Sequence, residues 1–197
     1  MPASLTIQEL QKRIALYEDI KAYKELFDLL YDGLHRFSFS FVKSNETAEE
    51  IVSDVFIKIW QIRGKLGEID NLKVYMYTIT KNFSLNYITR NFKNPVTSLD
   101  ALDVEPVVGI KNPEELYISA ELLNNIRQAI RELPPQCKMV FQLVKEDGLS
   151  YKEAASILGL SVFTVRNQLA IALTKIAAAL PPYMLSSLRE ISKFSAS

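Results

Sequence analysis

Apolar residues recur at intervals of three and four along nearly the whole chain, and one proline-bearing stretch breaks that rhythm. Alternating β-branched runs are scarce and the turn dipeptides of hairpins are missing, so the pattern predicts an all-α fold. Between Phe92 and Pro113, by contrast, Pro95, Pro106, Gly109 and Pro113 stand among acidic residues with no sustained period. That composition reads as a flexible acidic linker. A length of 197 residues suits one ordinary domain or two small ones, since domains cluster near ~100–150 residues. The interruption selects two small helical domains, at 16–92 and 114–182, with the linker at 93–113 and a tail at 183–197.

Within the first domain, one long helical segment is expected from about Leu16 to Val42. Thr47-Ala48-Glu49-Glu50 fits a capping box, in which the threonine oxygen and the Glu50 carboxylate satisfy the open backbone donors of a helix start. The helix it opens carries Ile51, Val55, Ile59 and Ile62 as a buried stripe through roughly Arg63, and Gly64 and Gly67 end it. Another helix is predicted from about Leu72 to Arg90, with Leu72, Met76, Ile79, Phe83 and Tyr87 at helical spacing. In the second domain helical spacing resumes near Pro113, runs through Ile118, Leu122, Ile126 and Ile130, stops at Leu133-Pro134-Pro135 and restarts through Val140 and Leu143.

Composition excludes several functions. Cys137 and His35 are the only residues of their types, which rules out an internal disulfide and leaves little for a metal site, a cofactor ligand set or proton relay. No apolar run approaches the ~20 residues that cross a bilayer, and the first residues lack the basic start, apolar centre and cleavage site of an export signal. A soluble, cytoplasmic protein with no membrane insertion is expected. The 23 basic and 23 acidic residues cancel, which argues against indiscriminate coating of nucleic acid. Their placement is uneven. Lys73, Lys81, Arg90 and Lys93 are the only charges from Asn71 to Lys93, and Asp100, Asp103, Glu105, Glu114 and Glu115 follow against Lys111.

Two stretches point to nucleic acid. Ala155, Gly159 and Val165 supply the small residue, the turn residue tolerant of positive φ and the apolar anchor that a helix-turn-helix needs, and Ser161 suits the N-cap of its second helix. Val165, Leu169, Leu173 and Ile176 are expected to face the core, leaving Phe163, Thr164, Arg166, Asn167 and Ala170 outward. In a major groove Arg166 suits guanine and Asn167 adenine. The same residues also fit an αα-hairpin with ordinary caps. Upstream, Lys73, Tyr77 and Lys81 at i, i+4 and i+8, with Asn82 and Asn86 alongside, form a face on which unstacked bases stack while lysines neutralise phosphates. A solvated helix face with one partly buried tyrosine explains that spacing equally.

In order and wording these segments resemble the extracytoplasmic-function group of bacterial sigma factors. TAEEIVSDVFIKIW is similar to the polymerase-binding part of sigma region two, NLKVYMYTITKNFSLNYITR to the element that melts and reads the minus-ten box, and LPPQCKMVFQLVKEDGLSYKEAASILGLSVFTVRNQLAIALTKI to region four, which reads the minus-thirty-five box. The resemblance implies a protein with no catalytic activity that lends promoter specificity to core RNA polymerase. It implies that Asp54, Ile57, Lys58 and Gln61 dock on the polymerase while Trp60 supports the core. Gly64 to Asn71 then occupies the place of the base-capturing loop, and Lys73, Tyr75, Tyr77, Lys81 and Asn82 line the minus-ten strand. Ser161, Phe163, Thr164, Arg166 and Asn167 face the minus-thirty-five duplex. Core RNA polymerase, promoter DNA and an anti-sigma factor are the implied partners.

The chain departs from the family pattern in three places. Tyr75 stands where many relatives have tryptophan and Asn86 where aspartate is common, and after Arg166 the next cation of the recognition helix is Lys175. The competing reading is a conventional helix-turn-helix regulator that binds duplex DNA without polymerase. It calls for a ligand pocket or dimerisation helix in the first half, and the sequence offers neither convincingly.

Overall fold

The computed structural model describes residues 6–91 and 120–179. The expected linker, the beginning of the second domain and the C-terminal tail lie outside them. Helix α1 (Ile7–Tyr17) starts at Thr6, whose hydroxyl accepts from the Glu9 amide at 3.3 Å while the Glu9 carboxylate accepts from the Thr6 amide at 2.7 Å. Helix α2 (Ile20–Val42) follows after a break. The single helix expected from Leu16 to Val42 is therefore two helices. Glu18 takes the left-handed conformation that closes α1, and the Asp19 carboxylate accepts from the Lys21 and Ala22 amides to open α2. Arg13 donates to the same carboxylate at 2.6 Å and braces the corner.

The start of α3 (Asn45–Gln61) also differs from expectation. Ser44, not Thr47, is its N-cap and accepts from the Thr47 amide at 3.2 Å. Lys43 in the left-handed region turns the chain sharply enough after α2 for Ser44 to take that place. Ile51, Val55 and Ile59 are buried as their spacing predicts, and Ile62 is partly buried just beyond the helix end. Gly64 and Gly67 lie inside a 3-10 turn, Arg63–Glu68, whose Leu66 is fully buried.

Helix α4 (Leu72–Asn91) packs across α2 and α3. Leu72 and Met76 are buried, but Ile79, Phe83 and Tyr87 are only partly so. The other buried positions of α4 are Tyr77, Thr80, Ser84 and Ile88. Thr80 and Ser84 satisfy their hydroxyls on carbonyls four residues back, and Ser84 meets Ser38 at 3.1 Å where α2 and α4 cross. Small polar residues thus bring the two helices close without an unpaired donor.

In the second half, α5 (Ala120–Arg131) stops before Pro134, and Pro135 opens α6 (Pro135–Phe141), which continues into a π-helical turn at Gln142–Glu146. Ser150 and Glu153 form a capping box for α7 (Tyr151–Leu158). Gly159 ends it at φ +73°, a region that costs glycine little, and Ser161 caps α8 (Val162–Ala178). The two helices are bent by 105°, a helix-turn-helix angle. Val165, Leu169 and Ala172 are buried, whereas Leu173, expected in the core, is 41% exposed. At 3.6 residues per turn, position 172 and not 173 returns beneath Val165 and Leu169.

The two halves share one core. Buried residues run contiguously from Leu10 of α1 through Met139, Leu143, Ile157 and Leu169. A smaller cluster of Ile130, Leu133, Cys137 and Ala172 fastens α5 and α6 to α8. Among the described residues, no single helix is long and apolar enough to cross a membrane.

Candidate nucleic-acid interface

Burial of Val55, Phe56 and Ile59 turns the other side of α3 outward. Asp54, Ile57, Lys58 and Gln61 stand there together at i, i+3, i+4 and i+7, all exposed. Ile57 leaves 54% of its surface to solvent, an apolar centre ringed by polar groups. Trp60 turns away from this face. Its ring lies 4.9 Å from that of Tyr23, and the Arg63 guanidinium sits 4.9 Å above it.

The segment from Gly64 to Asn71 is held by a residue that spacing did not single out. Gln11 of α1 donates from Nε2 to the Leu66 carbonyl at 2.6 Å and to the Ile69 carbonyl at 2.7 Å, a buried amide that ties the 3-10 turn to the core. Asn71 Oδ1 then accepts from the Val74 amide at 3.0 Å and caps α4.

Lys73, Tyr77 and Lys81 do share one face of α4, as their spacing requires, but Tyr77 is not the exposed aromatic read from it. Its ring is 1% exposed. It lies on the same stripe as Ser84 and Ile88, against α2 at Gly33, where any Cβ would collide with the tyrosine hydroxyl. Lys73 Nζ donates to the Asp147 carbonyl and Lys81 Nζ to the Ile157 carbonyl, both in the second half of the chain. Beside them Arg36 of α2 donates to Asp147 Oδ1 at 3.0 Å and approaches Glu146 at 3.9 Å, and Asn71 donates to Glu153 at 2.7 Å. Tyr75 is half-buried and Asn82 exposed on the neighbouring side of α4.

This junction perturbs its ionisable groups. Burial raises the Tyr77 hydroxyl far above the ordinary tyrosine range, and the charge of Asp147 adds to the effect. Burial pushes Glu146 up to about 7 against the pull of Arg36, raises Asp147 likewise and lowers Lys81. Glu153, although desolvation opposes it, is held below the usual carboxylate range by hydrogen bonds from Ser150 and Asn71.

On α8 the buried stripe leaves Ser161, Phe163, Arg166 and Asn167 exposed and Thr164 half-exposed near the N-terminus. Phe163 is 71% exposed. Ser161 accepts from the Thr164 amide at 2.9 Å, which fixes the first turn. The spacing of Gly159 and Ser161 foretold this geometry. The bonds made by Arg36, Glu146, Asp147 and Gln11 were not foretold, since each joins elements distant in sequence.

Comparison with known proteins accounts for both halves. The family model for Sigma-70 region 2 matches residues 26–93, and that for Sigma-70, region 4 matches residues 123–176. The chain is 29% identical over 176 residues to the ECF RNA polymerase sigma-E factor of Escherichia coli K12, covering 86% of this chain and 91% of that protein. The chain belongs to the extracytoplasmic-function group of the sigma-70 family. The region 2 match thus falls on α2 to α4, and the region 4 match ends within α8. The RNA polymerase sigma-H factor of Pseudomonas aeruginosa is 26% identical over 151 residues, covering 73% of this chain and 78% of its own. Among solved structures, CnrH in complex with the cytosolic domain of CnrY shares the fold with a TM-score of 0.53 at 21% identity, covering 86% of this chain and 93% of that one. The sigma factor RpoE from Bartonella quintana, in complex with the anti-sigma factor NepR, also gives a TM-score of 0.53 at 21% identity, covering 81% and 96%.

Proposed function

We propose that this chain is an alternative sigma factor that binds core RNA polymerase and directs it to a specific set of promoters. The observation that carries the reading is the presence of regions 2 and 4, in family order, on one chain. Asp54, Ile57, Lys58 and Gln61 dock on the polymerase, for which their exposure on one face of α3 suits them. Lys73, Tyr75, Lys81 and Asn82 guide the melted minus-ten strand, with Tyr77 setting the shape of that face from beneath. Ser161, Phe163, Thr164, Arg166 and Asn167 meet the minus-thirty-five duplex, supported by their common exposure at the start of α8. We place the working units at 16–92 and 114–182, joined by 93–113. An anti-sigma factor completes the set of partners, supported by the complex in which RpoE is seen with NepR.

Run-off transcription with purified core polymerase and a pool of promoter fragments tests the reading. Initiation from a discrete subset, absent without the chain, is expected. Tight binding to duplex DNA with no transcription would instead indicate a conventional helix-turn-helix regulator.

A further inference from the structure

The outward face of α8 is centred on an aromatic ring. Phe163, in the first turn, stands nearly opposite the buried Val165, Leu169 and Ala172 and leaves most of its surface to solvent. Counting about 100° per residue, Ala170 and Thr174 fall within about 20° of it, with Asn167 about 40° to one side and Arg166 about 60° to the other. The hydroxyls around the ring are already engaged. Ser161 and Thr164 bond to each other at 2.8 Å, and Thr174 donates to the Ala170 carbonyl at 2.9 Å. The middle of this face is therefore apolar, with Arg166 and Asn167 at its flanks and the exposed Ile171 beyond Asn167.

A helix-turn-helix brings the first turns of its second helix against base edges in the major groove. The apolar feature displayed there is the thymine 5-methyl group, which a phenylalanine ring can contact. Phosphates supply little of the binding, because Arg166 and Lys175 are the only cations of α8. The backing of the helix is fixed as well: Gln168 accepts from the Cys137 thiol of α6 at 2.8 Å, and Ala172 is buried in the same cluster. We propose that Phe163 is a specificity-determining residue, selecting the minus-thirty-five box by packing on the 5-methyl group of a thymine beside the bases met by Arg166 and Asn167.

The inference rests on the assignment of α8 to the minus-thirty-five duplex made above, and its test separates the two. Duplex fragments are enriched from a random pool by binding to the full chain, with and without core polymerase. Each thymine of the enriched box is then replaced singly by deoxyuridine, which keeps the hydrogen bonds and removes only the methyl group. At one position, or two adjacent ones, wild type binds the deoxyuridine duplex about fourfold more weakly, the effect of one buried methyl group. Phe163→Ala loses about as much on the thymine duplex and no longer distinguishes the two bases, whereas Phe163→Leu keeps part of the distinction. Thermal melts of both variants match wild type, because the ring is largely exposed. Equal binding of every deoxyuridine duplex by wild type, or methyl sensitivity that survives Phe163→Ala, overturns the inference. So does weaker capture of core polymerase as the sole effect of Phe163→Ala, which would place the ring on protein. If run-off transcription persists in those cases, the proposed function stands without the inference. Methyl-sensitive duplex binding without transcription counts against the function and leaves Phe163 its role, and absence of any duplex binding overturns both.

Discussion

Tyr77 illustrates how one side chain can carry a face without presenting itself on it. The spacing Lys73, Tyr77, Lys81 places the three in a row, and burial of the ring then aims both lysines along its edges toward region 4. Tyr77→Ala should accordingly act through the core, costing about 3–5 kcal/mol in a denaturant titration, as truncation of a large buried aromatic does. A loss below about 1 kcal/mol would mean that the ring is exposed in solution. Glu146 and Asp147 make a pH prediction. Burial at the junction raises both carboxyls, Glu146 from 4.5 to about 7, so the packed junction binds more protons than a separated one in that window. Burial drives the rise, with the Asp147 charge adding to it at Glu146, while Arg36 opposes it at both carboxyls and Tyr77 and Lys73 oppose it at Asp147. Stability of the contact is therefore present below the ordinary carboxylate value and falls as pH climbs toward about 7. Scattering profiles collected at about pH 5 and about pH 8 should show the more compact particle at the lower value.

Individual helices raise different questions, because their ends rest on local chemistry and their outer faces on what packing leaves uncovered. Gly159 turns α7 into α8 at φ +73°. No atom crowds the position of a Cβ there, so Gly159→Ala should lose only the cost of a left-handed alanine, about 1–2 kcal/mol, in a thermal melt followed at region 4. Helix α3 is predicted to behave oppositely. Asp54 and Lys58 are exposed, so reversing both charges in Asp54→Arg/Lys58→Glu should leave the melting temperature unchanged. The same pair of changes should weaken capture of core polymerase about tenfold or more, because like charges then meet across the interface. Unchanged capture would remove this face from the polymerase assignment. α4 belongs to neither class. Its core-facing row of threonine and serine is invisible to a search for apolar periodicity, which is why the predicted stripe of Ile79, Phe83 and Tyr87 emerges only half-buried.

For the molecule as a whole, what matters is that two domains meet. The all-α class, the break before Pro134, the turn at Gly159, the Ser161 cap and the open faces of α3 and α8 were legible in the sequence, because each depends on residues within about two helical turns of one another. The fold break at Glu18 and Asp19 was less so, since the cap relies on a side-chain bond that a charged residue makes only in one local geometry. The junction around Arg36, Tyr77 and Asp147 was not legible at all. Arg36 and Asp147 stand 111 positions apart, and nothing in the periodicity of α2 or α4 says which helix face will meet the π-helical turn. A missing side chain at Gly33 opens the space for Tyr77, and shape complementarity then brings the buried charges together. Local propensity and spacing therefore determined the parts and their outward chemistry, whereas only tertiary packing decided which of those surfaces stay open, because burial is a property of the partner a face acquires.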